Sequence, residues 1–310
     1  MRSQEQQPGE LLSVCICTYK RPEGLRTTLA SVVAQVLPAT ARLEVVVVDN
    51  DPLASARSAF NEFKAANPSV QLLYANESKP GVSFARNRCL REASGDWIAF
   101  IDDDEIAPAN WLAALLNTAQ AYDAGAVFGL VQPVYEAALP DWLAYGGGID
   151  RPRFSTGTVI SWGNARTGNV LMTRRLANAV GKFDARFAKT GGEDSYFFAT
   201  AMQLGFRLVW CDEAAVSETV PKSRMTKKWI IQRAFFGGRT FVRLHAAIDG
   251  RWAYVKWFAH GVAMLALLAL PTLLMWLLRR KGWLQQVRKL AGASGKIVAP
   301  FYGAGEYGGS

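Results

Sequence analysis

A chain of 310 residues, half of them hydrophobic, has room for one large α/β domain with an appendage or for two domains. Its net charge of +9 is unevenly placed: residues 1–221 hold 20 Lys+Arg against 24 Asp+Glu, whereas residues 222–310 hold 15 against 2. Such a basic, tryptophan-rich tail points to a membrane surface or another polyanion, and the lack of any helix-turn-helix, zinc-finger or aromatic RNA-binding strand motif excludes nucleic acid.

Residues 1–10 are polar and lack the apolar core of a signal peptide, so the body is expected in the cytosol. Leu11 to Thr18 reads as a first strand, broken by Lys20-Arg21-Pro22. Cys15 and Cys17 share one face of it, while Cys89 and Cys211 stand alone. All four are expected as small buried hydrophobes in a reducing compartment, not as a zinc site. Pro22-Glu23 suits a helix start, followed by Leu25, Leu29, Val32 and Val33 at helical spacing. Leu43 to Val48 is uniformly apolar, as a parallel strand covered on both faces must be, and it ends in Asp49-Asn50-Asp51-Pro52. A helix from Ala54 to Ala66, a strand from Val70 to Tyr74, the turn Ser78-Lys79-Pro80-Gly81 and a helix through Ala93 follow. This alternation is the signature of a doubly wound parallel sheet.

The next strand, from Trp97 to Ile101, runs straight into Asp102-Asp103-Asp104-Glu105. A core strand cannot carry four acids, so it must stop and present them at its carboxyl edge, where open α/β sheets bind ligands. Asp102 and Asp104 can share a hard divalent cation and through it hold a diphosphate. A solvated acidic turn is the plain alternative for this stretch alone. Right-handed crossovers bring Thr18-Tyr19 and Asp49-Asn50 to the same edge, and the three ends together describe a nucleotide pocket. No glycine-rich phosphate loop is present, so phosphate charge falls to a metal.

After a helix from Asn110 to Tyr122 and a strand from Ala126 to Val131, residues 132–168 read as irregular and aromatic-rich. They suit either a lid that stacks on sugars or hydrophobic packing over the sheet. Thr167 to Thr173 reads as a short strand. Gly191-Gly192-Glu193-Asp194 opens an amphipathic helix, with acids that the helix dipole favours and glycines that allow close approach. Phe206 to Cys211 is expected as the last strand, and Ala215 to Pro221 closes the body.

These landmarks together resemble the family 2 glycosyltransferases, which have the GT-A fold. The matching stretches are Val14 to Pro22, Val46 to Asn50, Lys79 to Asn87, Phe100 to Asp104 and Gly191 to Asp194, and the detailed wording looks most like the succinoglycan-type exopolysaccharide glucosyltransferases. The resemblance implies an α/β, Rossmann-like, mixed and mostly parallel sheet flanked by helices, over residues 1–221. It implies that Thr18, Tyr19 and Arg21 line the nucleotide pocket, that Asp49 with Asn50 meets the uracil or ribose, and that Arg86 contacts the nucleotide. Asp102 and Asp104, with Asp103 between them, would hold the UDP-sugar diphosphate through Mn or Mg. Asp194 would be the catalytic base with Glu193 beside it, and Arg233 could reach the diphosphate. Sugar transfer with inversion needs one carboxylate to take the acceptor proton and positive charge on the leaving diphosphate, so two separate acid sets are the minimum equipment. One departure stands out: the family's His after the last strand is missing, and Glu218 or water is expected in its place.

Residues 222–310 are expected as a basic, membrane-associating helical region. Its apolar part, Trp257 to Leu278, either spans a bilayer or folds back at Pro271. The processive members' Gln-x-x-Arg-Trp motif is absent, which argues for addition of one sugar. The expected activity is therefore transfer of a hexose, glucose from UDP-glucose, onto a polyprenyl-diphosphate-linked oligosaccharide at the cytoplasmic face of the bacterial inner membrane. A nucleotidyltransferase would need the missing phosphate loop. A non-catalytic sugar-nucleotide-binding member of an assembly complex is the other alternative.

Overall fold

The computed structural model describes residues 10–144 and 151–301. Its first half alternates strands and helices: β1 (Glu10–Thr18), α1 (Pro22–Val33), β2 (Ala41–Asp49), α2 (Arg57–Ala66), β3 (Gln71–Asn76), α3 (Val82–Glu92) and β4 (Trp97–Asp102). β1 runs parallel to β2 on one side and to β4 on the other, and β3 runs parallel to β2. The period of two in a strand sends alternate residues to opposite faces. Val45 and Val47 therefore join Leu25, Leu29 and Trp111 in one core cluster, while Cys15, Val46 and Val48 join Cys89, Phe100 and Phe183 in the other. Both faces being covered explains the unbroken apolar run of β2.

The second half adds β5 (Glu105–Ile106), α4 (Trp111–Ala121), β6 (Ala126–Tyr135), α5 (Asp141–Ala144), β7 (Asn169–Thr173), α6 (Arg174–Val180), α7 (Glu193–Gln203) and β8 (Leu208–Val220). The eight strands form one mixed sheet in the order β3-β2-β1-β4-β7-β6-β8-β5. β7 is antiparallel to β4 and to β6, and β5 is antiparallel to β8. The final strand is a single piece of 13 residues, not a strand and a separate closing segment. Asp212 and Glu213 do not break it, because Arg153 and Thr156 take their carboxylates. Residues 132–168 are also less irregular than their composition suggests. β6 continues to Tyr135, Phe154 packs edge-on against Trp210 with centroids 5.3 Å apart, and Trp162 packs on the core. Tyr145 and Gly146-Gly147-Gly148 lie outside the described residues.

The chain divides into two compact units. Apart from residues 133–151 and 189–192, the first runs to Glu218 and holds both core clusters. The second comprises those two segments and the chain from Thr219 onward, including α8 (Lys227–Asp249), α9 (Trp252–Leu277) and α10 (Trp283–Val298). Thr226 caps α8, its Oγ1 accepting from the Trp229 N–H at 3.2 Å. Gly250 (φ 89°) and Gly282 (φ 88°) adopt the left-handed turns that separate the helices. Pro271 lies inside α9 without ending it, so of the two alternatives left open the fold-back does not occur. Proline costs the helix one N–H and so weakens it at that turn, but α9 continues, with the Thr272 hydroxyl donating to the Leu268 carbonyl at 2.6 Å. α9 is long and apolar enough to cross a bilayer, and only 11% of its apolar window is buried.

α8 and α10 approach at glycines: a Cβ on Gly238 would lie 2.1 Å from the Gly292 carbonyl oxygen. Backbone cannot give way as a side chain can. Gly238→Ala is therefore expected to destabilise the protein by about 1–3 kcal/mol. Gly237→Ala, whose Cβ would meet nothing within 4 Å, should be neutral or stabilising by up to about 1 kcal/mol. Thermal unfolding of the two variants checks the contrast.

Candidate active site

Parallel register sets the site. Thr18 pairs with Asp49 and Cys17 with Asp102, so three strands end at one edge. From there the acids of β4 diverge as their spacing predicts. The Asp103 side chain turns inward, where Thr18 Oγ1 donates to its Oδ2 at 2.7 Å and Arg21 Nη1 donates to its Oδ1 at 3.2 Å. Burial pushes the Asp103 carboxyl up to about 6, although Thr18 and Arg21 pull it down. Asp102 turns outward, its side chain 45% exposed, and Asp104 is partly exposed while accepting from Arg21 Nη1 at 2.7 Å. Glu105 is buried, and its Oε2 accepts the Asp102 backbone N–H at 3.0 Å. Tyr19 stands 52% exposed beside Lys20, which adopts φ 56°.

Asp49 and Asn50 organise the neighbouring loops. The Asp49 carboxylate is fully buried and accepts from the Asp51 N–H (2.9 Å), the Ala56 N–H (2.8 Å) and the Tyr74 hydroxyl (3.0 Å). Asn50 donates to the carbonyls of Glu77 and Lys79 and accepts from the Gly81 N–H. A carboxylate has about four acceptor positions, so a nucleoside donor could still be added to Asp49.

Arg86, on α3, links the two acid sets. Almost fully buried, it pairs with Glu193 through Nη1, and its Nη2 lies 3.7 Å from Asp102 Oδ1. Burial works against the Arg86 charge, but Glu193, Asp102 and Asp194 raise its pKa above the ordinary value, so it stays a cation. Glu193 is the member of the pair that titrates. Burial pushes it up to about 7, Arg86 draws it back and Asp194 adds to the rise. Its Oε2 is buried with no hydrogen-bond partner. Asp194 is half-buried, and its Oδ1 accepts the Ser195 N–H at 2.6 Å. Gly191 (φ 71°) and Gly192 (φ 97°) make the turn just before this pair.

Several residues here carried no signal in the sequence. Arg166 Nη1 donates to Ser195 Oγ at 2.9 Å, beside Asp194. A Cβ on Gly168 would lie 2.7 Å from Glu105 Oε1 and 3.1 Å from Asp102 Oδ2, so only glycine leaves room beside those carboxylates. Asn169 accepts from Trp111 Nε1 and donates to the Leu130 and Ala214 carbonyls, tying three elements behind the site. All three fall in or just after the stretch read as a lid. Glu218 is the register partner of Glu105, which brings it beside the acid run. Arg233 belongs to the second unit, where its guanidinium lies 5.0 Å from the Trp229 ring. Cys89, read as solitary, has its Sγ 3.6 Å from Cys17 Sγ.

Among the described residues no group of three or more His, Cys, Asp or Glu forms a ready metal cage. The donor set still fits Mg or Mn. Such ions take hard oxygen ligands, often one or two carboxylates, with substrate phosphate and water completing the shell. Asp102 and Asp104 could supply the carboxylates, and the space kept by Gly168 lies next to Asp102.

Residues 13–183 match the family model described as glycosyl transferase family 2. The protein belongs to that family. The transferase is 39% identical over 245 residues to succinoglycan biosynthesis protein ExoM of Rhizobium meliloti (strain 1021), covering 77% of each chain. It is 27% identical over 265 residues to the glucosyl-dolichyl phosphate glucuronosyltransferase of Haloferax volcanii, covering 79% of this chain and 82% of that one. Among solved structures, it resembles the mannosyltransferase PcManGT from Pyrobaculum calidifontis in complex with GDP-Man and Mn2+. That likeness has a TM-score of 0.63 at 21% identity and covers 96% and 89% of the two chains. S. aureus TarS 1-349 in complex with UDP gives 0.54 at 17%, covering 92% and 89%. The fold is GT-A and the enzyme a glycosyltransferase.

The transferase should show the Glu193 shift in its stability. A carboxyl raised in the folded state contributes stability that is full below its unfolded pKa of 4.5 and lost as pH rises through about 7. Urea unfolding across that window should show the native chain losing stability relative to Glu193→Gln. Parallel pH profiles would contradict the assignment.

Proposed function

We propose that the transferase moves one hexose, glucose from UDP-glucose, with inversion, onto a polyprenyl-diphosphate-linked oligosaccharide for exopolysaccharide synthesis. The observation that carries this reading is the buried Arg86, which pairs with Glu193 and approaches Asp102. It makes one local charge system of the acids suited to a cation and the acids suited to proton transfer. The similarity to ExoM supports a polysaccharide role, and the sugar nucleotides or UDP held by the structural neighbours support the donor class.

Asp194 is the general base and Glu193 is not. Glu193 is buried and committed to Arg86, whereas Asp194 at the start of α7 is partly open. Its Ser195 N–H contact fixes one oxygen and leaves the other for the acceptor hydroxyl. Arg21 and Thr18 hold Asp103 and Asp104 in place, so the β4 acids are set before substrate arrives. A bound Mn or Mg would neutralise the departing diphosphate, and Asp102 and Asp104 would hold it, with Glu218 in place of the absent histidine. Tyr19 offers an exposed ring to the nucleoside. In this reading residues 1–221 form the catalytic domain, and residues 222–310 hold it to the cytoplasmic face of the inner membrane, where a lipid-linked acceptor lies.

Membranes containing the transferase, given radiolabelled UDP-glucose and lipid-linked acceptors, should incorporate label until a chelator is added. Asp102→Ala should abolish that incorporation. Asp194→Asn should lower kcat by about 10²–10⁴-fold while donor binding persists; unchanged transfer by this variant would refute the base. Glu218→Ala should raise the cation concentration needed for half-activity by about 10–100-fold, and Glu218→His should restore it.

A further inference from the structure

Helices α9 and α10 of the second unit gather cations around one indole. Lys296 Nζ, on α10, lies 4.9 Å from the Trp257 ring centroid and 4.7 Å from that of Phe241. Lys256 Nζ, on α9, lies 5.1 Å from the same Trp257 ring, and the His260 ring is 5.3 Å away. Phe241 meets Trp257 edge-on with centroids 4.6 Å apart. The Trp257 Nε1–H is buried and donates to nothing.

Cation–π attraction accounts for one lysine on an indole. It does not account for two lysines on one ring with no anion to separate them. Asp249 is the one acid among the described residues after Glu218, and its carboxylate is held by His245 Nδ1 at 2.6 Å. Burial depresses the pKa of Lys296, and burial, against a smaller opposing pull from Tyr254, depresses that of Arg243. Among the described residues no carboxylate pairs with Lys256 or Lys296, so these two ammonium groups and the Trp257 indole N–H are donors without an anion. Phosphate oxygens match such a set. The apolar surface next to it, with Val255, Val262 and Leu267 exposed on α9, suits acyl chains.

We propose that Trp257, Lys256 and Lys296 form a seat for the phosphate headgroup of an anionic phospholipid. The seat anchors the enzyme at a defined point of α9. This rests on the reading that the second unit meets a membrane.

The experiment is flotation of the full chain with vesicles of phosphatidylcholine alone and of phosphatidylcholine with phosphatidylglycerol. A Lys256→Met/Lys296→Met variant keeps the stems that cover the rings. It should bind the anionic vesicles about 25-fold more weakly, at roughly fivefold per lysine, and the neutral vesicles unchanged. Trp257→Phe, which keeps a ring and removes the N–H, should also weaken anionic binding selectively, and Lys296→Arg should retain it. An Arg279→Met/Arg280→Met control removes equal charge elsewhere and should lose less. Equal losses by the two double variants would mean a diffuse basic field and overturn the seat. So would displacement from the vesicles by millimolar inorganic phosphate, which would mean a site for free phosphate. Failure of the native chain to bind either vesicle would overturn the membrane reading itself. Binding of both vesicles equally by every variant would overturn only the seat.

Discussion

A guanidinium held almost out of water is the constraint on which the catalytic unit depends. Arg86 cannot shed its proton, so it must be neutralised where it lies. Breaking a buried pair of this kind by removing one partner typically costs about 3–5 kcal/mol. Glu193 at the start of α7 and Asp102 at the end of β4 meet that need from positions far apart in the chain. The same requirement that keeps α3 in place thus fixes where the two acid sets stand. Stability and pre-organisation here come from one interaction.

The opposite end of the sheet makes a useful comparison. Glu44 is a buried carboxylate too, but Ser13, Gln71 and the backbone and side chain of Ser94 all donate to it. A fully satisfied carboxylate is a staple with nothing left to offer a substrate. Asp49 falls one short of that, with three donors from its own chain and one acceptor position left. Asp102 and Asp194 differ, because both retain exposed surface. Exposure, more than the presence of acid, separates the carboxylates proposed to react from the structural ones.

Much of this was legible in the chain. Uniform apolarity marked β2, and the abrupt change from Ile101 to Asp102 marked the end of β4. Periodicity, however, reports only which residues are buried. It could not show that β7 runs antiparallel to β4, because pairing direction depends on the connection and not on the strand's composition. Asp212-Glu213 read as a strand end because their partners Arg153 and Thr156 lie more than fifty residues away. Gly168 was invisible for a related reason: its importance is the absence of a Cβ against Glu105 and Asp102, a fact of tertiary distance. Pro271 left two readings open. Proline weakens a helix, but a long apolar helix packed against a partner tolerates one lost hydrogen bond.

The basic tail presents two unfavourable terms that share one remedy. Its charge is almost all of one sign, so its helices gather cations that repel each other. Its longest helix leaves most of an apolar window uncovered, with Leu267, Leu270, Leu273 and Trp276 all exposed. Salt in water would screen the first term and do nothing for the second. A folded protein partner could cover the apolar face but would need an acidic rim of matching shape. A bilayer with anionic headgroups relieves both at once, apolar surface going to acyl chains and cations to phosphate. The glycines between α8 and α10 favour the same solution, since close backbone contact holds the bundle together without using the large apolar side chains of α9.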